Sequence, residues 1–261
     1  MSSFPFSLVM MSSLIVVAMM TLLWLISIKT RNAGWVDLGW VTGLVLLAAW
    51  CSVFGDGYFE RRMLIAFLVG IWGMRLGGMI LQRLLIEGED RRYQKLREAF
   101  KSHAHLKFFV FFQLQALLDV ALSLPFWLIA FNTNGSMTIL EWIGTGLWLT
   151  GFIGEAIADD QLKLFKTDPD NRGKVCDRGL WYYSRHPNYF FEWLMWLGYF
   201  VIALAAPWGW TAVIAPALML HFLLNVSGVP LAEEQSLRSR GELYREYQRT
   251  TSVFVPWFKK G

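Results

Sequence analysis

Long apolar runs constrain the fold of this chain more than any other feature of its sequence. Seven of them, each about 18 to 25 residues long, could cross a hydrocarbon core of about 30 Å as helices. The chain is 55% apolar over 261 residues, too apolar for an ordinary soluble domain. We therefore predict an all-α fold, a single integral membrane domain over residues 1–261. The predicted transmembrane helices cover 4–28, 35–54, 62–84, 107–131, 137–158, 189–206 and 208–226, followed by a cytoplasmic tail over 227–261.

The positions of Lys and Arg predict the orientation of this bundle. Segments 29–34, 87–107, 159–188 and 227–261 together carry 20 of the 24 basic residues. These segments alternate correctly for one side of the membrane, so the positive-inside rule puts the N-terminus outside and the C-terminus in the cytoplasm. The net charge of +4 then reflects topology and contact with anionic lipid. Because the basic residues form no stripe, we expect no nucleic-acid partner.

The sixth and seventh predicted helices are separated only by Pro207 and Gly209. A re-entrant pair is therefore the alternative to two separate spans. The four His and two Cys residues show no metal-ligand spacing, so we predict that the chain binds no metal.

The stretch Gly179–Trp193, GLWYYSRHPNYFFEW, has the composition of a ligand cradle at a helix start. Pro187 suits the first position of a helix, and Asn188 and Glu192 then lie four residues apart on one face. Unpaired amide groups at a helix start attract phosphate. The basic residues predicted to serve a phosphate are Arg172, Arg178 and Arg185. An interfacial aromatic belt with ordinary basic anchors is the alternative.

Asp37 and Arg75 are two of the charged residues inside predicted membrane helices. Asp37 is set among Trp and aliphatic residues near the start of the second helix, where a carboxylate costs about 2.5–3.5 kcal/mol on insertion scales. Arg75 lies deep in the third helix and needs a partner, either Asp37 or an oxygen of a ligand. Asp37 should face a cavity, or else form a structural ion pair with a neighbouring Arg.

Together with GEDRRY (88–93) and NAGWVDLGW (32–40), the Gly179–Trp193 stretch resembles the steroid 5-alpha-reductase family, in its bacterial, DUF1295-like branch. The resemblance covers most of the chain. It implies an oxidoreductase that uses NADPH to reduce the Δ4 double bond of a 3-oxo-steroid or a similar hydrophobic enone. We expect a monomer in the bacterial inner membrane, with a small hydrophobic substrate entering from the bilayer and the cofactor site on the cytoplasmic side.

The resemblance also implies site residues. Residues matching the cofactor contacts of the family are Arg91, Arg92, Tyr93, Asp159, Lys166, Tyr183, His186, Glu233, Glu234, Tyr244 and Tyr247. In the implied reaction, Asp37 polarises the carbonyl if burial keeps it protonated. Arg75 stands near a position where the family has Tyr; an Arg stabilises an enolate but is a poor proton donor. Glu155 stands where the family has Asn, so it cannot donate a hydrogen bond unless protonated.

Two other functions stay open. The C-terminal motif is shared with the isoprenylcysteine and phospholipid methyltransferases, so the chain could instead be a membrane methyltransferase that uses S-adenosylmethionine. In that case Asp37 and Arg75 would be structural. A non-catalytic transporter or scaffold is the third possibility, and the inverted repeat expected for a transporter is not visible in the sequence.

Overall fold

A computed structural model of the chain describes residues 5–259, and within that range every regular element is helical. This confirms the predicted all-α class. The chain divides into two compact units, residues 1–137 with 206–208 and residues 138–205 with 209–261. The single domain over residues 1–261 stays a prediction beside this division.

Unit 1 contains the first six α-helices. They are α1 (Phe6–Thr30), α2 (Trp35–Phe54), α3 (Phe59–Ile86), α4 (Arg91–Phe100), α5 (Ala104–Leu122) and α6 (Leu124–Ala130). Unit 2 contains the other six. They are α7 (Ile139–Thr167), α8 (Leu180–Tyr183), α9 (Pro187–Ala203), α10 (Ile214–His221), α11 (Val229–Arg240) and α12 (Glu242–Thr250).

Helix α2 is the centre of unit 1, where it packs against α1, α3 and α5. Two of its glycines allow this close approach. A Cβ at Gly39 would lie 2.7 Å from the Met20 sulfur of α1, and a Cβ at Gly43 would lie 2.2 Å from an Asp119 oxygen of α5. The small residues of α2 therefore let two different helices approach its backbone, as expected of glycines in membrane helices.

A buried arginine holds the loop after α6 in unit 1. The Arg61 side chain, near the start of α3, is fully buried. Its guanidinium donates to the backbone carbonyls of Asn132, Asn134 and Ser136. Backbone carbonyls thus satisfy a charge that would be costly to bury alone.

Helices α7 and α9 form the main packing pair of unit 2. A Cβ at Gly144 would lie 2.7 Å from the Gly198 carbonyl oxygen, and one at Gly151 would lie 2.7 Å from the Phe191 carbonyl oxygen. The glycines of α7 therefore bring the backbones of the two helices together. This close packing fixes the position of the α9 start, where the predicted cradle lies.

Five helical stretches among the described residues are long and apolar enough to cross a membrane. They are Phe6–Thr30, Trp35–Phe54, Phe59–Ile86, Arg91–Ala130 and Gly209–Arg240. The predicted spans 137–158 and 189–206 correspond to α7 and α9, which are helical but are not among these five. Helix α9 has 17 residues, about 26 Å at 1.5 Å per residue, which is short for a hydrocarbon core.

The predicted helix over 107–131 is divided in the structure. Helix α5 ends at Leu122, and α6 begins at Leu124 with Pro125 in its first turn. Pro has no N–H to continue the helical hydrogen bonding and is favoured at a helix start, which explains a boundary here.

Candidate functional site

Asp37 lies at the centre of a cluster of polar side chains in unit 1, at the start of α2. The Tyr93 hydroxyl donates to Asp37 Oδ1 at 2.5 Å. Guanidinium groups of Arg83 and Arg92 each donate to Asp37 Oδ2 at 3.3 Å. Both oxygens of Asp37 therefore take part in hydrogen bonds. We call Asp37, Arg83, Asp90, Arg92 and Tyr93 the Asp37 cluster.

Asp90 fixes the α4 end of this cluster. As the N-cap of α4 it accepts from the Arg92 amide at 2.9 Å, and it also accepts from the Arg92 Nε at 3.2 Å. Burial alone would raise the pKa of Asp90. Hydrogen bonds from Arg92 and the positive charges of Arg92 and Arg83 outweigh that effect and hold the pKa below its ordinary value. Asp90 is thus an anion that orients Arg92 toward Asp37.

The cluster assigns partners that the sequence had left open. Asp37 is paired with Arg83 and Arg92, rather than with Arg75, which lies eight residues before Arg83, about 12 Å along α3. The alternative that Asp37 pairs with a neighbouring Arg is therefore observed. Arg92 and Tyr93, predicted from the resemblance to contact a cofactor, both contact Asp37, whereas Arg91 is exposed at the start of α4.

Sequence reasoning missed Arg83 and Asp90 as members of this cluster. One signal was present: an Asp directly before a helical segment is a typical N-cap. Arg83 lies inside the predicted helix 62–84, eight residues after Arg75, but its pairing with Asp37 depends on how α3 packs against α2.

In unit 2, the start of α9 brings together three predicted site residues. Asn188 Nδ2 donates to Asp159 Oδ1 of α7 at 3.2 Å. The Oδ1 of Asn188 is buried and accepts no hydrogen bond from residues 5–259. One turn later, buried Glu192 accepts from Trp196 Nε1 at 2.9 Å. A buried acceptor with no donor is unusual in a native protein, and a ligand or water could supply the missing N–H or O–H.

Arg185 does not face outward from the α9 start. The Arg185 Nε donates to Glu233 Oε1 at 2.7 Å. The Arg185 Nη1 donates to the Gln248 carbonyl oxygen at 2.9 Å and to the Thr251 carbonyl oxygen at 2.7 Å. His186 Nε2 lies 3.4 Å from the same Glu233 oxygen. Arg185, His186 and Glu233 thus form an internal network, which ties α9 to α11 and α12.

The segment after α12 contacts the linker between α8 and α9. Arg185 N donates to the Ser252 carbonyl at 2.8 Å, Ser184 Oγ donates to the Phe254 carbonyl at 2.8 Å, and Trp257 N donates to the Tyr183 carbonyl at 2.9 Å. We call residues 252–257 the tail latch. The latch holds the α8–α9 linker in one conformation, so the cradle is formed by two segments that are far apart in sequence.

Tyr244 and Tyr247 are buried under this network. The Tyr247 hydroxyl donates to the carbonyls of Trp181 and Ser184. Burial, and then the charge of Glu233, raises the pKa of Tyr244 to about 12. Burial also raises the pKa of Tyr247 above its ordinary value. Both hydroxyls therefore stay protonated at neutral pH, and that of Tyr247 acts as a hydrogen-bond donor.

The other predicted residues of unit 2 are more accessible. Lys166, Arg172 and Arg178 are exposed in and after the last turn of α7, and the Arg178 guanidinium lies 4.9 Å from the centre of the Phe165 ring. Glu234 is exposed and pairs with Arg238 one turn later at 2.5 Å. The structure therefore separates inward residues, which shape the cradle, from exposed cations, which could meet a charged ligand.

These features define an all-helical protein with several helices able to span a bilayer and a polar cluster in each unit. Residues 23–251 match the family described as "Protein of unknown function (DUF1295)", and the chain belongs to this family. It is also similar to the "Uncharacterized protein C594.04c" of Schizosaccharomyces pombe, with 26% identity over 90% of this chain and 75% of the yeast protein. No solved structure matches the chain.

Proposed function

We propose that this protein is a membrane-embedded, NADPH-dependent reductase of the conjugated double bond of a 3-oxo-Δ4-steroid or a similar hydrophobic enone. The observation that carries the proposal is the Tyr93–Asp37 pair with its two guanidinium partners. Enone reduction needs a donor that polarises the carbonyl and stabilises the negative charge developing on its oxygen. A buried tyrosine O–H held beside a carboxylate and two cations supplies such a donor.

The roles of the chain's own residues follow from this geometry. Tyr93 turns its O–H from Asp37 to the substrate carbonyl oxygen, and Asp37 with Arg83 and Arg92 keeps the ring and the proton in place. The nearby positive charges stabilise the enolate, which then takes a proton from solvent water at the α-carbon. The dinucleotide, when bound, supplies the hydride for the β-carbon. In this proposal Asp37 is the carboxylate that positions Tyr93, and Arg75, about 12 Å along α3 from Arg83, adds a more distant positive charge.

The residues of the α9 cradle suit a dinucleotide. The buried Oδ1 of Asn188 can accept from a hydroxyl or a carboxamide N–H, and the Asp159 carboxylate suits ribose hydroxyls. The exposed Lys166, Arg172 and Arg178 suit phosphate groups, because a guanidinium can meet a phosphate with two parallel hydrogen bonds. Arg185 has its donors occupied by Glu233 and backbone carbonyls, so we assign it to cradle shape.

We further propose the finer topology that the sequence predicts. Helices α7 and α9 complete seven spans, the N-terminus lies outside, and the cofactor site lies on the cytoplasmic side of a bacterial inner membrane. The exposed apolar side chains of α7, among them Ile139, Trp142 and Ile143, support this topology, because a soluble protein rarely leaves such a surface uncovered. The protein is monomeric in this proposal.

Mass spectrometry of small molecules that co-purify with the protein in mild detergent tests the function most directly. An adenine dinucleotide supports the reductase, whereas S-adenosylmethionine or its demethylated product would replace it by the methyltransferase. A second test uses Asp37→Asn. We expect this variant to bind NADPH like the wild type while reducing a progesterone-like enone about 10²-fold more slowly. Wild-type turnover would remove Asp37 from the mechanism.

A further inference from the structure

Unit 2 carries an open apolar groove that the proposed reaction does not use. The groove has a volume of about 590 Å³ and lies along α7, with α8 and the first turns of α9 as its other walls. Its apolar walls include Leu149, Ile153, Ile157, Leu180 and Phe191. This volume falls in the range typical of ligand pockets. We call it the α7 groove.

One stripe of α7 forms the length of this groove. Leu149, Ile153 and Ile157 follow each other at intervals of four residues, which places them on one face of the helix. They are 40%, 55% and 45% exposed. Phe191 forms the opposite wall because Gly154 leaves room for its ring; a Cβ at Gly154 would lie 2.4 Å from it. These side chains therefore form an open apolar groove along α7.

Polar side chains line mainly one end of the groove. Thr150 lies along its length, but its hydroxyl donates to the Gly146 carbonyl at 2.8 Å and is satisfied within α7. At the α8 end lie Gln161, whose Oε1 accepts from the Leu180 amide at 2.8 Å, and Tyr183. From Leu149 to Gln161 the helix rises about 18 Å. The groove is thus long, narrow and amphipathic along its axis.

The α8 end of the groove is continuous with an aromatic and basic surface. The Tyr183 ring packs edge-on against Tyr182 and against Phe258, at 5.1 and 6.1 Å between ring centres. Trp257 and Phe258 are exposed, and the Lys259 ammonium lies 4.5 Å from the centre of the Tyr182 ring. Exposed aromatic rings with a Lys beside them are typical of the headgroup level of a bilayer. This surface therefore indicates that the polar end of the groove lies at the headgroup level of the bilayer.

We infer that the α7 groove binds one acyl chain of an anionic phospholipid from the bilayer, with the phosphate near Lys259. The chain lies along Leu149, Ile153 and Ile157, parallel to the other lipid tails. The phosphodiester lies at the aromatic surface. The Lys259 ammonium there is paired with Asp177 at 3.4 Å, and it has three N–H donors, so donors remain for a phosphate oxygen. The groove does not include the Asp37 cluster or the α9 cradle residues Asp159 and Asn188, but its polar end includes Tyr183, which the resemblance assigns to the cofactor. Lipid binding in the groove rests on the proposed membrane topology of α7 and does not depend on reductase activity.

A photoreactive lipid tests the site on the wild-type protein. The full chain is reconstituted in phosphatidylcholine vesicles containing phosphatidylglycerol whose acyl chain carries a diazirine, irradiated, and digested for peptide mapping. We expect adducts concentrated on residues 149–161 and 183–191. Adducts spread evenly over the exposed apolar residues of α7, including Ile139 and Ile143, would overturn the inference, because they indicate bulk lipid only.

A matched pair of substitutions tests the same site by lipid retention. Ile153→Trp fills the groove, while Ile143→Trp places the same ring on an exposed apolar part of α7 outside it. Native mass spectrometry then counts phosphatidylglycerol molecules bound to each variant. We expect one tightly retained lipid in the wild type and in Ile143→Trp, and about tenfold less in Ile153→Trp, as expected when about two methylene groups lose their contact.

A separate variant, Lys259→Ala, tests the headgroup assignment. Lys259→Ala should reduce the preference for phosphatidylglycerol over phosphatidylcholine without preventing chain labelling in the groove. Equal retention in Ile153→Trp and Ile143→Trp would overturn the groove. Should Ile153→Trp fail to fold, the labelling pattern of the wild type decides.

Discussion

Replacing Arg185 separates two roles that the sequence and the structure give to this residue. The sequence pattern makes it a phosphate ligand, whereas the structure buries it, with 10% of the side chain exposed, in an ion pair with Glu233 at 2.7 Å. Arg185→Ala removes a charged donor from Glu233 and from two backbone carbonyls at once. Removing one partner of a buried ion pair typically destabilises a protein by about 3–5 kcal/mol.

The expected loss is large enough to measure directly. For a chain of this size, each kcal/mol corresponds to a shift in Tm of about 2–4 °C, so we expect a decrease of about 6–20 °C. Thermal unfolding in detergent can be followed by intrinsic tryptophan fluorescence, and limited trypsin digestion should show faster cleavage at Arg245 and Arg249 as the tail latch opens. Arg178→Ala, which removes an exposed guanidinium, is the matched control and should change Tm little.

The cofactor titration decides the remaining question. If Arg185 acts through cradle shape, its loss weakens NADPH and NADH binding equally, because neither cofactor meets the guanidinium. A variant with unchanged Tm that discriminates against NADPH alone would refute this reasoning. In that case Arg185 would bind the 2′-phosphate of NADPH instead of Glu233.

Three further predictions concern single side chains. Tyr93→Phe should slow enone reduction about 10²-fold by removing the proposed donor, with NADPH affinity retained; undiminished turnover would place the donor elsewhere. Asn188→Ala should weaken NADPH binding, measured by fluorescence titration, by about 1–3 kcal/mol, and unchanged affinity would move the cofactor away from α9. Gly43→Ala should lower the free energy of unfolding by about 1–3 kcal/mol, because its methyl group would lie 2.2 Å from an Asp119 oxygen. Gly78→Ala is the control, because a Cβ at Gly78 has no atom within 4 Å. Equal Tm values for the two variants would contradict the packing argument.

The sequence predicted the long apolar helices of unit 1 well, because hydropathy and turn residues both mark their ends. The predicted helix over 35–54 matches α2, and the run over 62–84 lies within α3. The separate helix α4 is not among the predicted helices, because many of its residues are charged and the predictions rested on long apolar runs. Its N-cap Asp90 was a local signal, but the ion pairs that hold α4 in place depend on tertiary packing.

The sequence predicted which types of residue form the candidate sites, but it did not predict which of them pair with each other. Asp37 stood out because a carboxylate is costly in an apolar helix, yet its hydrogen bond to Tyr93 joins residues 56 positions apart. The resemblance assigned Glu233 to a cofactor, whereas in the structure Glu233 accepts a hydrogen bond from Arg185, 48 positions away. Pairings at such separations follow from the packing of whole helices, which composition and spacing do not encode.

The tail latch has a consequence for the order in which the protein matures. Arg185 leaves the ribosome 66 residues before Thr251, whose carbonyl it binds. At about 5–20 residues per second, the guanidinium waits about 3–13 s for that partner. Glu233, the ion-pair partner of Arg185, follows it by only 48 residues, so the ion pair at the α9 start can form before the Thr251 carbonyl arrives. Chains that stop before residue 233 would present an unpaired cation at this point, a mark by which quality-control proteases could tell interrupted products from finished ones.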